Sequence, residues 1–163
     1  MPIWYPPPEI GEKELVGRRL LEKASTERPT DQDGRPLSEV GDFYETRAKD
    51  DLSVDRLGDP NPAQDTLRAI TSLADKDASR PEVNRVFSGW ATIRVQNFRF
   101  TGWVAQVTAT LKKRENGTIE NPWHADVNRD GFREKAQAYA FAVVLHHTFV
   151  RKGAYEPPIV ASH

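Results

Sequence analysis

The sequence predicts an α+β domain: an antiparallel sheet with a long C-terminal helix packed on one face, a shorter helix, and an irregular N-terminal arm. Three observations predict it. Residues 86–111 alternate apolar and polar side chains with period two. Leu67, Ile70, Leu73 and Ala74 recur at helical steps. A helical pattern from about Asp130 to Lys152 is apolar nearly all round in its middle, which marks a central, covered helix.

Taken in order, residues 1–41 read as an arm with a short helix, 42–155 as the compact α+β domain and 156–163 as a tail. Pro6, Pro7 and Pro8 favour an extended arm, and Trp4 and Tyr5 beside them are aromatic anchors for a partner. Leu15, Val16, Leu20 and Leu21 form a narrow stripe, so Gly11–Ala24 is expected as an amphipathic helix. Residues 25–41 are rich in turn formers and read as an irregular loop. Phe43-Tyr44 and Leu52-Ser53-Val54 each suggest a short strand. Asp59-Pro60-Asn61-Pro62 is a turn, with Asn61 the N-cap of a helix running through Asp75.

Phe87–Gln96 and Trp103–Lys112, linked near Phe98–Gly102, are expected to pair as a hairpin. Glu115-Asn116-Gly117-Thr118 follows as a turn. Arg151-Lys152-Gly153 is expected to end the last helix, the cations facing its negative pole and the glycine turning left-handed.

Composition narrows the function classes. With no cysteine, the chain has no disulfide, thiolate nucleophile or Cys-ligated zinc. A formal net charge of -1 gives no global pull toward nucleic acid or an acidic membrane. The N-terminus lacks the basic and apolar regions of a secretory signal. The longest apolar run, Ala138–Leu145, is far shorter than the roughly 20 residues of a membrane span. A cytoplasmic protein with no membrane partner is the expectation. No G-x-S-x-G, P-loop, G-x-G-x-x-G or HExxH spacing occurs.

Three constellations remain. His124-Ala125-Asp126 in an extended segment points an imidazole and a carboxylate the same way, where they can meet one metal or one substrate proton. Asp126, Asn128 and Asp130 with Gly131 match the first half of a calcium loop, but Arg133 and Gln137 stand where its second half needs an aliphatic residue and a carboxylate. The alternative is that Asn128 or Asp130 caps the last helix. No resident cofactor is expected; a divalent metal is the one these oxygens would take. On the last helix Phe132, Ala136, Ala140, Val143, His147 and Val150 lie on one apolar stripe, where His147 reads as a core histidine.

The third constellation is basic. Residues 84–114 hold six cations and no acid, with Trp90, Phe98, Phe100 and Trp103 interleaved. Such a surface suits single-stranded nucleic acid, with Arg94, Lys112, Lys113 and Arg114 as phosphate contacts. Residues 31–60 carry nine acids against four basic residues and can instead cover that face.

Asp51–Arg56 (DLSVDR), Gly89-Trp90-Ala91 and Asn121–Asp126 (NPWHAD) resemble a series shared by small bacterial proteins of unknown function. The resemblance spans about residues 43–150 and implies a bacterial or phage-derived domain of a multi-protein system, with no catalytic residue to carry over. The function expected first is a non-enzymatic module that binds another protein, through Trp4, Tyr5, Trp90 and Trp123. A metal-assisted hydrolase or nuclease centred on His124 and Asp126 is the alternative, and a nucleic-acid binder the second.

Overall fold

The computed structural model describes residues 3–23, 28–45, 47, 49–58, 64–101, 107–110, 112–113, 115–117 and 119–156. The strands are β1 (Leu15–Glu22), β2 (Leu52–Gly58), β3 (Val86–Arg94), β4 (Val107–Ala109), β5 (Lys112–Lys113), β6 (Ile119–Asn121), β7 (His124–Val127) and β8 (Ala154–Glu156). The helices are α1 (Gln64–Ser79) and α2 (Lys135–Lys152). Six strands form one antiparallel sheet in the order β4-β7-β2-β1-β3-β8, and β5 pairs with β6 in a separate ribbon. The expected α+β class holds.

Each face of the sheet has its own core. On one, Val16, Leu20, Val54, Ile93 and Val127 pack with Phe43 and with Phe141, Leu145 and Phe149 of α2. On the other, Leu57, Phe87 and Trp90 pack with Ile70, Ala74 and Ala78 of α1. Because β1 and β3 are covered on both sides, their sequences need not alternate.

That explains the first correction. Gly11–Ala24, expected as an amphipathic helix, contains β1 at the centre of the sheet. Val16 and Leu20 enter one core while Leu15 and Leu21 pack against the other. Spacings of one, four and five suit a helix stripe and a two-sided strand equally. Gly17 breaks the tie, since a Cβ there would lie 2.8 Å from Trp90 Cδ1. The strand is built for that indole.

The expected hairpin is also replaced. A strand does form, ending at Arg94 rather than Gln96, but its neighbours are β1 and β8, while β4 pairs with β7. A 3-10 segment, Val95–Thr101, follows β3, and residues 102–106 lie outside the described residues. Alternation fixes which face a strand buries and not which strand it meets.

Phe43-Tyr44 opens no strand. Phe43 ends a 3-10 turn, Val40–Phe43, and its ring meets Phe149 at 4.9 Å. α1 runs past Asp75 to Ser79; its expected cap, Asn61-Pro62, lies outside the described residues. Part of the 25–41 loop is firmly held. Arg28 donates to both Asp42 oxygens and to the Leu21 and Leu37 carbonyls.

α2 starts at Lys135, not Asp130. Gly131 sits at φ 88°, and Glu134 occupies the N-cap without a side-chain cap bond. Gly153 ends the helix for a different reason than expected. It is extended, at φ -107°, and a Cβ there would strike the Thr92 carbonyl oxygen. Small size, not left-handed freedom, selects the glycine. Glu156, read as the start of a tail, belongs to β8, and residues 157–163 lie outside the described residues. Among the described residues no helix is long and apolar enough to cross a membrane.

Candidate functional site

The β2–β7 register sets Asp55 opposite His124 and Ser53 opposite Asp126. Residues two apart on a strand share a face, so these four side chains stand together on the α1 side of the sheet. Arg19 of β1 closes the group. Its guanidinium meets Asp55 through two bonds, Nε to Oδ2 at 2.8 Å and Nη2 to Oδ1 at 3.0 Å, and Asp77 of α1 at 2.9 Å. Trp90 Nε1 donates to the same Asp55 at 3.0 Å. Burial works against the charge on Arg19, and the two carboxylates outweigh it, raising its pKa. A cleft of about 140 Å³ lies here, lined by Arg19, Ser53, Asp55, Asp77, Asn121 and His124 among others.

His124 is 6% exposed. Its Nδ1 lies 2.8 Å from the Thr110 carbonyl and 2.9 Å from the Thr110 hydroxyl. A carbonyl only accepts, so that bond requires the proton on Nδ1, and the neutral ring then carries its lone pair on Nε2. Nε2 faces Asp126 Oδ1 at 3.7 Å. The two predicted side chains therefore stand side by side, with Nδ1 held by Thr110.

The predicted oxygen trio is not. Asn128 Oδ1 accepts the Asp130 N–H at 2.7 Å, and Asp130 is held by Arg133 at 2.8 and 3.0 Å. Hydrogen bonds from Arg133 and Asn128 hold the Asp130 carboxyl below its usual range. Neither Asn128 nor Asp130 caps α2, which begins later. Arg129 between them is fully buried, donating to the carbonyls of Glu45, Arg47, Asp50 and Phe132. The loop is a clamp around an arginine. Among the described residues no group of three or more His, Asp or Glu is placed to hold a metal.

The aromatic anchors turn inward. Trp90 and Trp123 are buried. The arm packs on its own domain: the Trp4 N–H donates to Thr66 Oγ1, Trp123 Nε1 donates to the Trp4 carbonyl, and Tyr5 stacks on Trp123 at 5.9 Å. Arg56, paired with buried Glu14 at 2.7 Å, fastens the Pro7 and Glu9 carbonyls. Of the four aromatics named, Tyr5 is the one that is largely exposed. The basic run likewise forms no exposed aromatic platform in its described part, since Trp90 and Phe98 are core residues. Arg94 donates to the Lys13 carbonyl at 2.7 Å, Lys112 and Lys113 lie on β5, and Arg114 is outside the described residues.

The expected cover of α2 is where the structure departs most from the sequence. Ala138, Phe141, Ala142, Leu145 and Phe149 face the sheet. The stripe read as core, from Ala136 through Ala140, Val143 and His147 to Val150, faces outward. Tyr139, Val143 and Val150 are 58%, 39% and 52% exposed. The histidine that enters the fold is His146, whose Nδ1 lies 2.9 Å from Ser38 Oγ; that oxygen is also 2.7 Å from the Tyr155 hydroxyl. Burial lowers the His146 pKa. At the far end of the outer stripe, His147, Thr148, Arg151 and Lys152 line a concavity of about 490 Å³. A residue count was the missed signal: Lys135–Lys152 contains no acid.

No family model, curated protein or solved structure matches this chain.

Proposed function

We propose that this protein is a non-enzymatic interaction module that docks another protein on the outer face of α2. The observation that carries the reading is the exposed row Tyr139, Val143 and Val150 on a helix whose opposite face is already core. Isolated exposed apolar residues are ordinary; a row along one ordered helix marks an interaction surface. The cleft beneath α1 gives less support to an enzyme, because Arg19 and Asp55 are engaged with each other. A cytoplasmic setting and a place in a bacterial or phage multi-protein system fit this reading, the latter from the sequence likeness alone.

A photo-crosslinking residue at position 143, with one at Glu82 as control, tests it in a lysate of the source cells. The reading expects an adduct of one discrete mass at 143, absent at 82 and lost when Tyr139 and Val150 become Asp. Adducts at neither site, or equally at both, would sink it.

One observation favours a second reading, acid–base or metal-assisted hydrolysis at His124 and Asp126. Nδ1 is anchored by Thr110 while Nε2 faces the carboxylate, the arrangement in which a histidine serves as base or ligand. Two donors from the chain leave the remaining metal positions to water and substrate. Histidine-resolved NMR with added Mn²⁺ decides. Selective broadening of His124 supports a metal site, whereas broadening no greater than that of His146 removes it.

A further inference from the structure

We propose that the groove filled by residues 3–9 is a binding site for a proline-rich segment of another protein, which enters by displacing the arm. This surface is separate from α2 and the inference stands independently of it. The domain, not the arm, sets the walls of the groove. Trp123 lies between β6 and β7, its N–H on Asn121 Oδ1 at 3.0 Å and its carbonyl accepting from the Arg56 N–H at 2.7 Å. Arg56 of β2 is 1% exposed, and Glu14 aligns its guanidinium through two bonds of 2.7 Å. Thr66, fully buried, belongs to the first turn of α1.

What these walls hold is main chain. Trp123 Nε1 donates to the Trp4 carbonyl at 2.9 Å, Thr66 Oγ1 accepts the Trp4 N–H at 2.8 Å, and Arg56 donates to the Pro7 and Glu9 carbonyls. Prolines suit such a groove, because their carbonyls accept while their nitrogens bring no N–H to satisfy. They also stiffen the free chain, so less entropy is lost on docking against aromatic walls. The arm's own side chains add little. Tyr5 stacks on Trp123 yet is 65% exposed, and Pro7, Pro8 and Glu9 are exposed. Trp4 is the anchor, half-buried against the core of Ile70 and Trp90, with the Arg56 guanidinium 6.0 Å from its ring. Main-chain bonds with one aromatic anchor are not particular to this arm. A segment with a large aromatic ahead of its prolines meets the same partners. The arm's advantage is its tether, which holds it at an effective concentration on the order of millimolar.

The test uses the full chain and a labelled peptide of residues 3–11, read by fluorescence anisotropy beside a scrambled control. Trp4→Ala with Tyr5→Ala loosens the arm and leaves the walls intact; circular dichroism checks its fold. This variant is expected to bind the peptide at least about tenfold more tightly than the unaltered chain, as removal of a tethered competitor requires. Adding Trp123→Phe, which keeps a ring but removes the N–H, should weaken binding about fivefold, the effect of one hydrogen bond. A second measurement needs no substitution. Opening of the arm should let the Trp123 indole N–H exchange with heavy water at least about tenfold faster than that of Trp90, which Asp55 holds inside.

Exchange as slow at Trp123 as at Trp90 makes the arm part of the core and overturns the proposal. So does equal binding of peptide and scrambled control, or an affinity that loosening the arm leaves unchanged. Should the loosened variant not fold, the exchange measurement decides. Sedimentation showing a dimer that the two arm substitutions dissolve overturns the proposal in favour of arms exchanged between two copies.

Discussion

The cleft beneath α1 and the outer face of α2 handle their difficult side chains in opposite ways. On the α1 side, charge is taken inside and matched. Arg19 meets Asp55 and Asp77, and the buried indole of Trp90 finds Asp55. On the outer face of α2, apolar surface is left outside along Tyr139, Val143 and Val150, with the Tyr139 ring edge-on to Tyr44 at 6.2 Å. Taking ions out of water costs several kcal/mol each unless partners replace the water, so folding enforces the first kind of matching. Nothing in folding penalises the second, because an apolar group on the surface loses little by staying wet in both states. The proposed docking on α2 rests on that uncovered row.

Substitutions can break or sharpen this contrast. Asp55→Ala leaves Arg19 with Asp77 alone and the buried Trp90 N–H without its acceptor, and should cost about 3 kcal/mol in urea unfolding. A cost no larger than that of a surface change would undo the account of matched interior charge. Gly17→Ala puts a methyl 2.8 Å from Trp90 Cδ1 and 2.9 Å from Leu57 Cδ1, and overpacking of this kind costs about 1–3 kcal/mol. Its thermal midpoint should fall clearly below that of the unaltered chain.

His146 tests the boundary between the two regimes through pH. Burial lowers its pKa from the ordinary 6.5, with His147 adding to the effect and Asp42 and Glu39 opposing it. The unfolded chain then binds the proton first, so stability is full above about 6.5 and is lost as pH falls toward the lowered folded value. His146→Gln should flatten that part of the stability–pH curve. A slope left unchanged would show that His146 is not the group responsible. Smallest of all, Val143→Asp should shift stability by no more than about 0.5 kcal/mol. A larger loss in urea unfolding would mean that the row supports the fold.

Fold class was legible because α1 and α2 have length and period, and β3 alternates over a long run. β1 was not, because a strand buried on both faces loses its alternation, and Gly17-Arg18-Arg19 resembles a solvated helix. Arg18 has a reason visible only in three dimensions: its guanidinium donates to the Asp42 and Ser53 carbonyls. His124 beside Asp126 could be read from extended spacing, whereas Asp55, Arg19 and Asp77 arrive only through the β1–β2–β7 register and the placement of α1. The apolar stripes of α2 were plain. Which of them faced water was not, since a helix apolar nearly all round has no favoured side until the sheet chooses one.

The strand order also carries the history of the chain. β2, β1 and β3, the first three made, occupy the middle of the sheet, and β4, β7 and β8, made later, extend it outward on both sides. No strand has to be inserted between two already paired, although β4 precedes its only neighbour in the sheet, β7, and joins the edge once β7 has added to β2. The delay lies at the start: β1 has no neighbour until β2 emerges some thirty residues later, and such non-local pairing is the slow kind. Condensation of the central trio is the expected folding nucleus. α2, carrying the outward row, follows this trio in the chain and docks onto the sheet that the trio has begun.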